Sequence, residues 1–221
     1  TIENLETQAT RVTATDGGGF FGAVDLAPGA YRAQVNPLYF CFNVSAGQVT
    51  NAQQDILAPE TTATVQPATP TGQNGWYKTA PTITFSASDN CAGVAATEYS
   101  TDAGQTWQPY NGSFVFSTEG TTTILYRSRD RASNNETPKS ITLKVDTSAP
   151  VFALNATPSV IWPVTGESVN VRLEGTGSDS VSGLASVSYV VTDEYGTPLT
   201  LPMRILSGGS AIWSEVLAVE A

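Results

Sequence analysis

The sequence predicts an all-β chain built as three small β-sandwiches in tandem, and three observations lead there. The first is a repeat: Asp89-Asn-Cys-Ala-Gly93-Val, ending in Tyr99, recurs in the same register as Asp179-Ser-Val-Ser-Gly183-Leu, ending in Tyr189. The match extends upstream, where Ala68-Thr-Pro70 pairs with Ala156-Thr-Pro158, Trp76 with Trp162, and Thr82-Ile-Thr-Phe-Ser86 with Val169-Asn-Val-Arg-Leu173. A period near ninety residues is about the length of one sandwich domain. The second is composition, since Thr and Ser fill about 50 of the 221 positions and Val, Ile, Tyr, Phe and Trp are frequent. The third is punctuation: 19 glycines and 13 prolines break the apolar runs into short alternating stretches, with no amphipathic helical period.

The first module is expected over residues 1–58. Thr15-Asp-Gly-Gly-Gly-Phe-Phe21 reads as a glycine turn leading into a strand. Leu26-Ala-Pro-Gly-Ala-Tyr-Arg-Ala-Gln-Val35 is a Pro-Gly turn followed by alternation, and Tyr39–Val44 and Val49–Leu57 continue the strands. Residues 58–72, rich in Thr and Pro, form a semi-extended linker. The second module, 59–148, shows a sandwich's strand rhythm at 81–87, 95–101, 105–110, 113–117, 121–128 and 139–145. The third, 149–221, repeats its first half.

Two families are resembled. Asp16, Gly19, Phe20, Leu26, Pro28, Gly29 and Tyr31 follow the pattern Asp-x-x-Gly-x-Phe and Leu-x-Pro-Gly-x-Tyr, so the first module resembles the carboxypeptidase regulatory-like, prealbumin-type sandwich, which in that family is non-catalytic. Too few residues precede Asp16 to supply that family's opening strands, so this module is expected to be incomplete at its start. Gly75-Trp-Tyr77, Asp89–Val94, Glu98-Tyr-Ser100, Gly104-Gln-Thr-Trp107, Tyr126-Arg-Ser-Arg-Asp130 and Val145-Asp-Thr-Ser-Ala-Pro150 resemble the Ig-like repeats of large bacterial and archaeal surface proteins. So do Trp162-Pro163, Gly175 and Val191-Thr-Asp-Glu-Tyr-Gly196 in the third module, which is expected to lack its final strands. The resemblance implies an extracellular, cell-surface location and leaves the ligand open.

Charge and composition exclude several functions. Twenty acidic against ten basic residues give a net charge of −10, which repels phosphate backbones and anionic membrane surfaces, so nucleic acid is not an expected partner. No apolar run is long enough to insert in a membrane as a helix, and no basic, apolar signal segment opens the chain; as its first residue is Thr1, it is expected to be processed or excised. The absence of histidine removes imidazole bases, Ser-His nucleophiles and His-containing metal sites. The sequons at Asn43, Asn111, Asn135 and Asn155 are weak evidence for glycosylation, since an Asn- and Ser/Thr-rich chain supplies about two or three by chance.

Four sets of residues invite a functional reading. In an Ig-like topology the loops 88–94 and 129–137 meet at one end, bringing Asp89, Asn90, Asp130, Asn134 and Asn135 together. Their oxygens suit calcium, the one cofactor the sequence suggests. The alternative, favoured by the lack of a dedicated calcium-loop spacing, is that they cap turns by bonding their own backbone, with Arg129 and Arg131 as counter-charges. Cys41 and Cys91 lie in different modules. The loop with Cys91 faces the first module's late strand, so a Cys41–Cys91 disulfide and two buried free thiols both stand open. Ser100-Thr-Asp-Ala-Gly-Gln-Thr-Trp107 fits a hairpin motif in which Asp102 shapes the turn and is not catalytic. The carboxylate pairs Asp193-Glu194 and Asp16 with Asp25 lie beside turns and are expected to be solvated. Trp76, Tyr77, Trp107 and Tyr110 have the shape to stack on surface glycans, but are expected to serve as core or hairpin anchors.

The expected function is therefore non-enzymatic: a stalk, adhesin or surface-layer rod whose partners are neighbouring domains or other copies of the same protein. Two alternatives stand beside it, a filament subunit assembled by strand complementation and an accessory region of a large secreted hydrolase.

Overall fold

The computed structural model describes residues 1–12, 26–45, 48–49, 52–159, 168–187, 191–192, 198–199 and 210–220. These are all-β, consisting of antiparallel sheets with one parallel pair and no α-helix among the described residues. Residues group into two compact units, Thr1–Gln66 with Thr82–Val115 and Thr122–Thr142, and Pro67–Pro81 with Phe116–Thr121 and Leu143–Ala221.

The N-terminal sheet contains β1 (Ile2–Asn4), β2 (Thr10–Arg11), β3 (Gly29–Val35), β4 (Leu38–Ser45), β5 (Gln48–Val49) and β6 (Gln53–Gln54), ordered β2-β1-β3-β4-β5 with β6 on β4. Ile2, Tyr31, Ala33 and Phe42 form its buried cluster, with Leu26, Phe40 and Val44 packed against them. Tyr31 and Phe42 are cross-strand partners whose rings stack at 5.7 Å, the contact expected of facing positions on a pleated pair.

Eight strands follow: β7 (Glu60–Gln66), β8 (Trp76–Tyr77), β9 (Thr82–Ser88), β10 (Val94–Ser100), β11 (Gln108–Pro109), β12 (Phe114–Val115), β13 (Gly120–Asp130) and β14 (Lys139–Val145). They form one sheet ordered β12-β9-β7 and another ordered β11-β10-β13-β14-β8. Alternation produces the inner face: Ile83 and Phe85 are buried on β9, and Ile124, Tyr126, Ser128 and Asp130 on β13. Phe85 on one sheet meets Tyr126 on the other at 4.9 Å, and Tyr110 at 5.1 Å. Each such ring removes enough apolar surface to stabilise the fold by about 1.5–3 kcal/mol. The strands expected at 105–110 and 113–117 shrink to two residues each, because Ser100–Trp107 closes as a turn on side-chain bonds.

The last group comprises β15 (Val151–Thr157), β16 (Ser168–Ser178), β17 (Val191–Thr192), β18 (Pro198–Leu199) and β19 (Ser210–Glu220). β15, β16 and β19 make an antiparallel sheet, and β17 pairs with β18. On β16 the buried positions are Val171, Leu173, Gly175 and Gly177, and Asp179, buried too, lies just past its end. Gly177 is required there, since a Cβ would meet the Phe152 ring at 2.8 Å. Asp16, Gly19, Phe20, Asp25, Trp162, Tyr189, Asp193 and Glu194 lie outside the described residues.

Candidate functional site

The repeated motif forms the same small loop twice. Asp89 Oδ2 accepts hydrogen bonds from the backbone N–H groups of Cys91 (3.0 Å) and Gly93 (2.7 Å). Asp179 Oδ1 accepts from Val181, Ser182 and Gly183, each at 3.0 Å. An aspartate that satisfies the N–H groups ahead of it folds such a loop locally, and Gly93 and Gly183 close it at φ +81° and +78°. In this conformation a side chain is strained.

A second aspartate clasps each loop from upstream. Asp55 Oδ2 accepts from Ala92 N at 2.8 Å, while its Oδ1 accepts from Leu57 N at 3.2 Å. Asp146 repeats both bonds: Oδ2 accepts from Ser182 N and Oδ1 from Ser148 N, both at 3.1 Å. Even the backbone of the two aspartates agrees, with Asp55 N donating to Tyr39 O and Asp146 N to Tyr77 O. The sequence carries this pairing as Asp55-Ile-Leu-Ala-Pro59 and Asp146-Thr-Ser-Ala-Pro150, a signature legible in the chain and missed in reading it.

The first clasp is reinforced. Arg32, buried on β3, donates through Nη1 to the carbonyls of Cys91 and Ala92 and through Nη2 to Glu3. Opposite Arg32 on β4, Cys41 is joined to Cys91 by a disulfide with a Cα–Cα distance of 5.6 Å. Asp130, 1% exposed, completes the surroundings: Oδ1 accepts from Asn134 N and Oδ2 from Asn134 Nδ2, both at 2.8 Å. The same Nδ2 donates to the carbonyls of Asp55 and Leu57.

Three carboxylates thus converge, with one oxygen each from Asp55, Asp89 and Asp130 within 4.8 Å of one another. Burial pushes the Asp55 carboxyl up; the N–H groups of Ala92 and Leu57 oppose this, and the charges of Asp89 and Asp130 add to it. Asp89 Oδ1 is buried without a hydrogen-bond partner. Of the residues singled out in the sequence, Asp89, Asp130 and Asn134 come together, with Asn134 acting as a donor. Asn90 is exposed, and the third carboxylate is Asp55 instead.

Glu136 makes a separate buried centre. Its carboxylate accepts from Thr61 N (2.9 Å), Thr61 Oγ1 (2.5 Å), Ser128 N (3.0 Å) and Lys139 Nζ (2.9 Å). Burial pushes this carboxyl up, but the bonds from Thr61, Lys139 and Ser128 outweigh that and hold it below the ordinary glutamate range. Nothing in the sequence marks Glu136, a lone acid in a Thr-Pro loop.

The remaining candidates are engaged in local structure. Asp102 accepts from Thr106 N, Thr106 Oγ1 and Ser100 Oγ, which lower its carboxyl to about 2. Trp107 lies 3.9 Å under the Arg127 guanidinium, Tyr77 is buried, and the Tyr110 hydroxyl accepts from Phe85 N. Trp76, half-buried, lines a cleft with Asn74, Lys78, Asp146 and Asp179. No protein-family model matches the chain, and no curated protein is similar to it.

Proposed function

We propose that this chain is a non-enzymatic segment of an extracellular rod, built from tandem sandwiches whose joints are held by the aspartate clasp. One observation carries the reading: two loops 90 residues apart are each held by one bond to an upstream carboxylate, whose other oxygen accepts from the N–H two residues after it. Such duplication of an inter-segment contact suits an array of repeated modules, because each joint is then held by the chain's own hydrogen bonds. The clasped carboxylates face backbone N–H groups, an arrangement suited to holding chain segments rather than to proton transfer. The resemblance to surface-protein modules supports an extracellular or cell-surface setting, with neighbouring modules as the partners.

Small-angle scattering of the intact chain and of the double variant Asp55→Ala with Asp146→Ala tests this. The rod reading expects an extended distance distribution for the unaltered chain that shortens and broadens in the variant. Identical profiles for the two chains count against it. A second reading, assembly by strand complementation, has its own support: Val151, Phe152 and Leu154 are exposed on β15, an edge strand of its sheet among the described residues. Concentration-dependent oligomers on sizing would favour it.

A further inference from the structure

We propose that Asp55, Asp89 and Asp130 form a binding site for a divalent cation of the calcium type, which locks the first clasp. Two of the three carboxylates are almost wholly removed from water, Asp55 at 5% and Asp130 at 1% exposure. Like charges this close do not stay ionised and buried unless a proton or a cation compensates them. The buried cation beside the loop, Arg32, is occupied by Glu3 and by the carbonyls of Cys91 and Ala92.

Asp89 Oδ1 is an independent sign. It is a buried atom with no donor among the described residues, although every other oxygen of the three side chains accepts at least one hydrogen bond. A carboxylate oxygen with one donor keeps a second lone pair, so the converging oxygens of the three side chains, one from each within 4.8 Å of the others, can still bind a cation. All are hard oxygen ligands; no imidazole exists in the chain and Cys91 is tied in the disulfide. That donor set selects calcium over zinc or copper, and carboxylates able to bind through one or both oxygens suit calcium's flexible shell better than magnesium's strict octahedron. The cation would bridge the segment after β6, the loop after β9 and the end of β13. At the second clasp Asp146, after β14, meets the loop of Asp179, after β16, and among the described residues no third carboxylate joins them within ligand distance, so the calcium proposal concerns the first clasp.

The inference does not depend on the rod reading: binding can fail with the clasp bonds intact, and a chain with another role would still bind. The test is calorimetric titration of calcium chloride into the intact, chelator-treated chain, with thermal melts in calcium, magnesium and chelator. A saturable one-site heat is expected, with a melting temperature about 5 °C or more higher in millimolar calcium than in chelator. Asp89→Asn and Asp130→Asn, which keep side-chain size, should weaken binding about tenfold or more, while Asp102→Asn leaves it unchanged. Absence of heat together with equal melting in calcium and chelator overturns the site. So does a response equal for both metals that persists in the two variants. Because the unaltered chain gives the primary reading, a variant that fails to fold does not rescue the idea.

Discussion

Replacing Glu136 with alanine removes one acceptor from four donors. Two of these, the N–H groups of Thr61 and Ser128, are buried on β7 and β13 and lose this acceptor. Each buried donor left unpaired costs about 1–3 kcal/mol, so the pair costs about 4 kcal/mol. The Thr61 hydroxyl keeps Ser128 Oγ at 2.7 Å, and Lys139 is partly exposed, so neither adds much. For a domain of about 60–100 residues this lowers the melting transition by about 15 °C or more. Urea unfolding followed by far-ultraviolet circular dichroism and tryptophan fluorescence reads the change as a shifted midpoint at constant slope. Glu136→Gln restores one carbonyl acceptor but turns an amide N–H2 towards other donors, and should fall between alanine and the unaltered chain. An alanine variant within about 1 kcal/mol of the parent would refute the reasoning, since it would mean that the buried donors are satisfied without Glu136.

Acid should destabilise through the same residue. The folded Glu136 carboxyl lies below its ordinary value of 4.5, so its contribution is complete above that pH and drains away as pH falls through the folded value. Asp55, raised from 3.8, acts with the opposite sign, opposing folding when ionised and relieved as pH falls. Unfolding midpoints measured from pH 6 downwards should therefore fall less steeply in Glu136→Gln than in the parent. Reducing the Cys41–Cys91 bridge opens a loop of 50 residues, and the chain-entropy relation puts the loss at about 4 kcal/mol, readable as a lower urea midpoint in reductant. Gly93→Ala should cost about 1–3 kcal/mol, because φ is +81° and the new Cβ would lie 2.9 Å from Arg32 Nη1. Asp146→Ala leaves the Ser148 N–H without its recorded acceptor, while Ser182 N retains Asp179; about 1–2 kcal/mol is expected from denaturation, and more protease cleavage near 147–150.

The fold class was legible because alternation is a local property. Ile83 and Phe85 announce β9, and Ile124 and Tyr126 announce β13, each at a spacing that only a strand turns into one buried face. The motif loops were legible for a similar reason: Asp89 and Asp179 bond N–H groups within four residues, so the signal lies inside the motif. Asp55 was not read from its surroundings, because Gln53–Leu57 has no alternation and its partner Ala92 lies 37 residues away. Only comparing Asp55–Pro59 with Asp146–Pro150 exposes it. Arg32 sits in a strand otherwise read as alternating, and its burial comes from carbonyls supplied by a distant loop. Glu136 depends on Thr61, 75 positions away, and no short-range pattern encodes that. Contacts made by one residue across long sequence distances leave no periodic trace.

The stretch from Glu60 to Asp146 carries both halves of the clasp, the receiving loop at Asp89–Gly93 and, at its far end, the aspartate that grips the next loop. A tandem duplication of such a stretch would produce neighbours that already fit, with no later adjustment of either surface. On the rod reading proposed above, length would then grow by copying alone, each copy bringing its own loop and its own gripping aspartate.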